Sequence, residues 1–581
     1  MAERIPNHIF DRYLQSAVRF EETWRKANQQ CFEYVDGDQW SEEERYTIEE
    51  RGQQPTVINT ILPTVDMVCA VAGQQQADIQ VVGREGSDDD KATLLTALLK
   101  HVMDNCHYDY QEKMAIRECY IGGRSWFECG IYTDDLGKDL IKIDHIPWEN
   151  VYCDPFSRKP DASDARFIIK VKWVDRDVLK KLYPEASEMV DSVFEDSYEG
   201  QEYEAQNHSV GRSEFYWDVK SNRVRVCECY YTMPEKQKIT IDDEINGGKI
   251  EKEILKNALH YVVFADEVIL DGSATEHSQN KPPLDIDVYP LVPMYCRRDR
   301  KGRPVGIVKN LIDLQDQINK LNSKFLWTLM ANRLIMEEGA AQNPAEAKEE
   351  FQKPDGTVML QPGGLSKVRI DDKYRDLSYM SNHLNFLLAT EQRISGVNDS
   401  MLGLGGTNER SGVMQSTRIS QGASMQTSIL ENMFFSRERV SRVVLKLIGA
   451  YYTDYRVMTI TQPNGTIERY EFNKAQITVD EFGRQQQSII GDINKTLYYD
   501  CILKRVAPFN SIRERQLQIF SEVFKSGVIP AEIAGEIMLL LSDLPNRQDI
   551  LMRLQNVYQQ QAMQQQQAMN MQQQAMMRSP V

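Results

Sequence analysis

RPVGIVKNLIDLQDQINKLNSK, residues 303–324, is the stretch from which the fold is read. Ile307, Leu311, Leu314, Ile318, Leu321 and Phe325 recur at spacings of 4, 3, 4, 3 and 4. That is the heptad seam of a helix built to lie lengthwise against other helices. Lys309, Asp313, Asp316, Asn319, Lys320 and Lys324 fill its remaining faces. The pattern predicts a helix over 305–335, about 45 Å long at the α-helical rise. The residues alone leave its partners open, either helices of neighbouring copies or helices of the same chain.

A compact segment follows, EEGAAQNPAEAKEEFQKPDGTVMLQPGG, residues 337–364. Asn343 and Pro344 start a short helix, and Pro354, Asp355 and Gly356 turn the chain into a strand, TVMLQ. A second helix is expected over 376–395, with Leu377, Met380, Leu384 and Leu387 on one face. The two helices would bracket the small αβ insertion as a projecting hairpin. Next, GVNDSMLGLGGTNERSG, residues 396–412, holds Gly396, Gly403, Gly405, Gly406 and Gly412. This reads as a loop rather than a phosphate cradle, because GxxxxGK[ST] is absent and no strand leads into it. A long helix from Ser411 to about Thr453 comes after, with Gly422 as a possible kink.

Upstream, Ile9, Tyr13, Ala17, Phe20 and Trp24 mark an amphipathic helix over 8–34 that ends at YVDGDQW, residues 34–40. Asp36 and Asp38 begin like a calcium loop, but Trp40 stands where an oxygen ligand belongs. Residues 57–75 and 91–122 read as helices, separated by a strand and the charged loop GREGSDDDK. From Ser125 the period changes to two. WFECGIY, RFIIKVKWV, RVRVCECYY, KITIDDE, HYVVFAD and EVIL are short strands of a mainly antiparallel region running to about 295. Cys227 and Cys229 share a strand face, which suits packing better than metal binding. Beyond 453 come a hairpin turning at Pro463, Asn464 and Gly465, strands to about 506, and helices over 511–526, 530–543 and 546–560. From Gln559 the last 23 residues contain ten Gln and five Met, a polar tail or a helix that needs partners. The class is therefore α+β and multidomain, as expected for 581 residues.

Composition narrows the chemistry. The net charge is −18, whereas a protein that grips DNA by its phosphates usually carries clustered Lys and Arg. The densest basic run is CRRDRKGRP, residues 296–304, either a solvated turn or a contact for DNA or an acidic partner. No window approaches the ~20 apolar residues that span a bilayer, and the N-terminus lacks the apolar core of a secretory signal. No membrane association is expected, and the chain would stay in the cytoplasm where it is made. The ten cysteines are scattered without a CxxC pair, which argues against a disulfide framework or zinc site. HExxH, GxSxG and Walker patterns are absent. Asp285 and Asp287 could form a carboxylate pair but look like a strand entry, so neither catalysis nor a cofactor is expected.

The order of elements resembles tailed-phage portal proteins, above all the short-tailed podovirus type. The likeness rests on YVDGDQW with RGQQPTVIN (51–59), on RPVGIVKNLIDLQDQINKLNSK, and on ISGVNDSMLG (394–403) followed by SGVMQSTRISQG (411–422). It implies a wing over 1–295, a first stem helix within 296–336, a clip over 337–375 and a second stem helix over 376–395. It further implies a channel loop over 396–412, a long wing helix over 413–455, a β-rich wing/crown junction over 456–510, crown helices over 511–558 and the tail. Such proteins form rings, normally of twelve copies, at one capsid vertex, where DNA is packaged and ejected and the portal belongs to the virion. The implied partners are double-stranded DNA, held transiently and without sequence preference, the terminase motor, the tail adaptor or head completion protein, and the major capsid and scaffolding proteins.

By that resemblance the seam Ile307, Leu311, Leu314, Ile318, Leu321 and Phe325 lies between subunits, and Asn398, Asn408 and Arg410 of the loop face DNA. Lys309, Lys320 and Lys324 are further DNA-facing candidates, or ion-pair partners of Asp313 and Asp316 on the next copy. Glu346, Lys348, Glu349, Lys353 and Asp355 of the clip would dock the motor and adaptor. A conduit needs few phosphate contacts, since each would have to break at every step of translocation. The rival readings are a terminase-like DNA-packaging enzyme subunit and a capsid scaffold protein that forms no ring.

Overall fold

The computed structural model describes residues 8–74, 78–82, 89–135, 137–191, 216–218, 220–243, 248–266, 268–273, 284, 286–330, 334–352, 356–370, 374–397, 401 and 427–452, with the backbone of strands between 456 and 506. The chain divides into two units: Met1–Gln74, Val81–Ile460 and Arg469–Leu503 form the first, and Gln75–Gln80, Thr461–Glu468 and Lys504–Val581 the second. In the second unit, the helices expected over 511–560 and the Gln/Met tail lie outside the described residues.

The N-terminal part is helical: α1 (His8–Asp36), α2 (Glu42–Glu50), α3 (Ile61–Gln74), β1 (Asp78–Val82), α4 (Asp89–Asn105) and α5 (Tyr108–Gly122). The buried stripe of α1 runs through Phe10, Leu14, Ala17, Glu21, Trp24, Asn28 and Cys31. It is rotated slightly from the expected face, leaving Ile9, Tyr13 and Phe20 half-buried. The polar members of the stripe hide its register in the sequence. Helix α2 is absent from the apolar pattern, because it buries no residue and so has no apolar period. Its signature is the capping box of Ser41 and Glu44.

Two antiparallel sheets follow. One has the order β10–β2–β3, from β2 (Arg124–Thr133), β3 (Asp139–Ile146) and β10 (Leu291–Tyr295). The other runs β4–β5–β7–β8–β9, from β4 (Val151–Cys153), β5 (Phe167–Asp175), β7 (Arg223–Asp243), β8 (Gly248–Ala265) and β9 (Val268–Gly272). Helix α6 (Arg176–Leu182) follows β5, and β6 (Trp217–Asp218) pairs with β7. Phe10, Leu14 and Ala17 of α1 close the core of the second sheet with Phe167, Tyr231 and Phe264. Cys227 and Cys229 belong to that core.

RVRVCECYY and KITIDDE, expected as separate strands, are one 21-residue strand. Pro234 interrupts nothing, because β5 stops at the Phe167–Tyr231 pair and beyond it, among the described residues, β7 has only β8 beside it. A proline is tolerated where one side of a strand is open.

The basic run becomes a tight hairpin, β11 (Arg297–Arg298) against β12 (Pro304–Val305). A 3-10 turn, Val308–Asn310, leads into α7 (Ile312–Met330). At 19 residues this helix is about 28 Å long, shorter than the expected 305–335. Pro304 and Val305 are taken by β12, and Leu334–Met336 forms β13. The insertion continues with α8 (Pro344–Gln352) and β14 (Val368–Ile370), which pairs with β13, before α9 (Tyr374–Ser395). The strand expected over TVMLQ is reduced to a single bridge, Ala341 to Leu360. Of the helix expected from Ser411, the described part is α10 (Thr427–Tyr451), and Gly422 lies outside it.

Two buried ion pairs tie the layers. Arg124 of β2 donates to both oxygens of Glu21 at 2.6 and 3.0 Å, and its guanidinium lies 4.6 Å from the Trp24 ring. Arg437 of α10 donates to Glu112 at 2.7 Å and to Asp109 at 3.1 Å. Although burial alone would raise the Glu21 carboxyl, Arg124 and Arg25 together hold it below its ordinary range. A depressed carboxyl stabilises the fold above its unfolded value and loses that stability as pH falls through its folded value. Removing one partner leaves a buried charge unpaired, so Arg124→Met should cost about 3–5 kcal/mol, measured by urea denaturation at pH 7. A shift under about 1 kcal/mol would show the pair to be dispensable.

Candidate functional site

Helix α7 carries two stripes. The first is the heptad seam, and the fold hides part of it: Ile307, Leu311 and Ile318 are buried within the chain, whereas Leu314, Leu321 and Phe325 are half-buried. Hydrophobic spacing specifies a packing face without saying whose surface covers it, and here this chain covers half of it. The second stripe is one that apolar spacing misses. Gln315, Asn319 and Ser323, four residues apart, are each at most 2% exposed.

These polar side chains face an extended segment, 54–60, that belongs to no sheet. Gln315 donates to Ile58 O at 2.6 Å and accepts from the Thr60 hydroxyl at 2.6 Å and the Thr60 N–H at 3.2 Å. Asn319 accepts from the Ile58 N–H at 3.0 Å and donates to Gln39 at 2.6 Å. Ser323 accepts from the Thr56 N–H at 3.1 Å. Trp40 Nε1 donates to Thr56 O at 3.2 Å, and Tyr34 donates to Asp316 at 2.5 Å. Burial and then Asp316 raise the Tyr34 hydroxyl well above its usual value. YVDGDQW, RGQQPTVIN and the 303–324 helix therefore meet in one place. A polar run at a period of four beside a heptad, QDQINKLNS, is the signal available in the sequence.

Lys320 pairs with Glu44 of α2 at 2.8 Å. That bond answers the expectation of a partner on another copy with one inside the chain, though at half-exposed positions it is worth only about 0–1 kcal/mol. Lys309 and Lys324 are exposed. Asn398, Asn408 and Arg410 lie outside the described residues, as do Lys353 and Asp355. Glu346, Lys348 and Glu349 are exposed on α8. Asp287 is held by Lys446, while Asp285 lies outside the described residues.

Helix α9 packs along α7. Leu387 is buried against it, with Leu377, Met380 and Leu384 half-buried, as the spacing predicts. Leu329, near the end of α7, and Tyr379 and Phe386 of α9 are 56, 64 and 58% exposed. Across the insertion, Ile335, Met359 and Leu365 are exposed at 50, 84 and 83%. These six large apolar residues are thus exposed along the hairpin and its insertion.

Gln315→Leu would orphan the Thr60 N–H and the Ile58 carbonyl at about 1–3 kcal/mol each. Urea denaturation should show a total loss of about 2–4 kcal/mol. Glu391 of α9, buried beside Thr60, has its carboxyl raised by burial. A raised carboxyl weakens the fold above its folded value and is without effect below its unfolded one. Glu391→Gln should therefore raise the urea midpoint at about pH 7.5 and leave it unchanged near pH 4. Equal shifts at both values would exclude ionisation as the cause.

Comparisons with known proteins identify the family. The family model described as Phage P22-like portal protein matches residues 11–579. A portal protein of Helicobacter pylori bacteriophage KHP30 is 22% identical over 540 residues, covering 90% of this chain and 78% of that protein. A match over nearly the whole length places the chain in a family: it belongs to the phage P22-like portal proteins.

Proposed function

We propose that the chain is the subunit of a ring, normally twelve copies at one capsid vertex of the virion, enclosing the channel through which DNA is packaged and later ejected. The observation that carries this reading is the helical hairpin of α7 and α9. Helix α7 is fastened into its own chain by buried polar bonds, and the pair still carries exposed Leu329, Tyr379 and Phe386. In this reading α7 and α9 are the stem, 337–373 the clip, and the two sheets with α1–α6 and α10 the wing. The inter-subunit seam moves from the full heptad to Leu314, Leu321 and Phe325 together with the exposed residues of α9.

The charge supports passage rather than gripping. Each copy carries −18, so a ring repels DNA over most of its surface and leaves only loose contacts, at 396–412 and at Lys309 and Lys324. Exposed Glu346, Lys348 and Glu349 on α8 are the clip residues offered to the packaging motor and tail adaptor. The wing is left for the capsid and scaffolding proteins. The subunit performs no chemistry, and the work of translocation comes from a separate motor.

Mass photometry of the purified full chain tests the ring. Twelve copies of 67.1 kDa give a hollow particle near 805 kDa. Phe386→Asp changes an exposed position, so the fold should survive while the ring gives way to single copies. Wild-type protein that remains single-copy at micromolar concentration sinks the reading, and nucleotide hydrolysis by the pure chain sinks its non-enzymatic part.

A further inference from the structure

The basic run at 296–304, which forms the β11–β12 hairpin, takes no part in the stem helices or the two large sheets. Arg298 does not point outward: it donates to Gly302 O at 3.0 Å, Ser157 O at 2.9 Å, Arg158 O at 2.8 Å and Lys159 O at 2.9 Å. Arg158 donates in return to Lys301 O. Two loops about 140 residues apart in sequence are thereby fixed side by side. Together they present Arg158, Lys159, Arg297, Arg300 and Lys301, all exposed.

The nearby carboxylates are occupied. Asp299 bonds Arg303, Asp154 bonds Arg166, Asp161 pairs with Arg439, and Asp164 accepts from Ser157 Oγ and the Arg158 and Lys159 N–H groups. Among the described residues none of the five outward cations has an ion-pair partner. Phe156, in the same loop, is 69% exposed, with the Arg166 guanidinium 5.2 Å from its ring. A fixed cluster of cations beside an exposed aromatic ring is complementary to a segment carrying carboxylates and aromatic groups.

This sequence contains such a segment. VFEDSYEGQEYE, residues 193–204, interleaves Glu195, Asp196, Glu199, Glu202 and Glu204 with Phe194, Tyr198 and Tyr203, and has no Lys or Arg. It lies outside the described residues, but the chain on either side of it is placed. Asp191 is held by Arg176 and Lys180 at 2.5 Å each, and Tyr216 donates to Asp11 at 2.9 Å. Strand β5 separates the two features. The 154–166 loop, with Arg158 and Lys159, leads into its first residue, Phe167, and Arg176 follows its last, Asp175. Nine residues put the two ends about 30 Å apart.

We propose that segment 193–204 of one copy docks on the basic loops 156–159 and 297–301 of the next copy. The described residues that flank the segment lie by the end of β5 away from the basic loops, so a contact of this kind between copies is head-to-tail and closes into a ring when the rotation per copy fits. Self-docking would draw the segment out along the full strand and back. Duplex DNA is the poorer occupant, since a phosphate backbone offers Phe156 nothing and the surrounding acidic surface repels a long stiff polyanion. This proposal rests on the ring reading.

Charge reversal tests it in the full-length protein, with mass photometry as the readout and thermal unfolding as a control for folding. Arg297→Glu, Arg300→Glu and Lys301→Glu together should raise the concentration for half-assembly at least tenfold. Glu195→Lys, Glu199→Lys and Glu202→Lys together should do the same. Mixing the two variants one to one should restore rings, since each carries the patch the other lacks. Rings from either variant alone at the wild-type concentration overturn the proposal, as does failure of the mixture. So does a patch variant that loses only its retention of linear duplex in gel shifts, which assigns the loops to DNA. In each of these cases wild-type rings persist and the ring reading stands, whereas wild-type protein that forms no ring removes that reading first.

Discussion

Backbone polar groups that lie against a packed helix need partners, and residues 56–60, half-buried or exposed, have no neighbouring strand to supply them. Gln315, Asn319 and Ser323 meet that requirement, and in doing so they fix how α7 is rotated about its axis. With the polar ladder turned toward the extended segment, Ile318 and Leu311 go into the chain's own core, while Leu321 and Phe325 are left at its margin. The surface left for other copies thus follows from hydrogen bonding, and the hydrophobic pattern alone does not determine it. The arrangement also ties the N-terminal turn at Trp40 to a helix almost 300 residues later.

The buried ion pairs serve the same end. Glu21 with Arg124, and Arg437 with Glu112, are costly to desolvate, and apolar replacements of equal volume are often as stable. Each pair accepts one geometry, however, with paired hydrogen bonds and guanidinium groups against Trp24 and Tyr108. They set where α1 meets β2 and where α10 meets α5. In the ring proposed above such fixed angles would matter, because small errors between layers would accumulate from copy to copy.

Much of the architecture is legible in the sequence. The change from a period near 3.6 to a period of two at Ser125, the paired helices around the αβ insertion, and the core-facing residues of α9 are all carried by apolar spacing. Three things are not. Helix α2 buries nothing, so only the Ser41–Glu44 capping box marks it. The long hairpin of β7 and β8 reads as divided at a proline that an open strand edge accepts. The heptad of α7 reads as one interface, although half of it is internal, because periodicity reports burial and is silent on whether the covering surface is in the same chain. Gln, Asn and Ser at a period of four are ordinarily a solvated face, and only the extended segment opposite turns them into a core.

The location of the polar ladder bears on how a ring could be built. Every bond in it joins residues of one chain, so the subunit completes its most demanding desolvation without a neighbour. Among the exposed residues of the hairpin, Leu329, Tyr379 and Phe386 stand between polar side chains such as Ser378, Asn382 and Asn385, and offer a neighbour apolar contact. Folding and association are then separable, and association depends on concentration as binding between preformed bodies does. Because the ladder closes within one chain, the rotation of α7 is set before any neighbour is met.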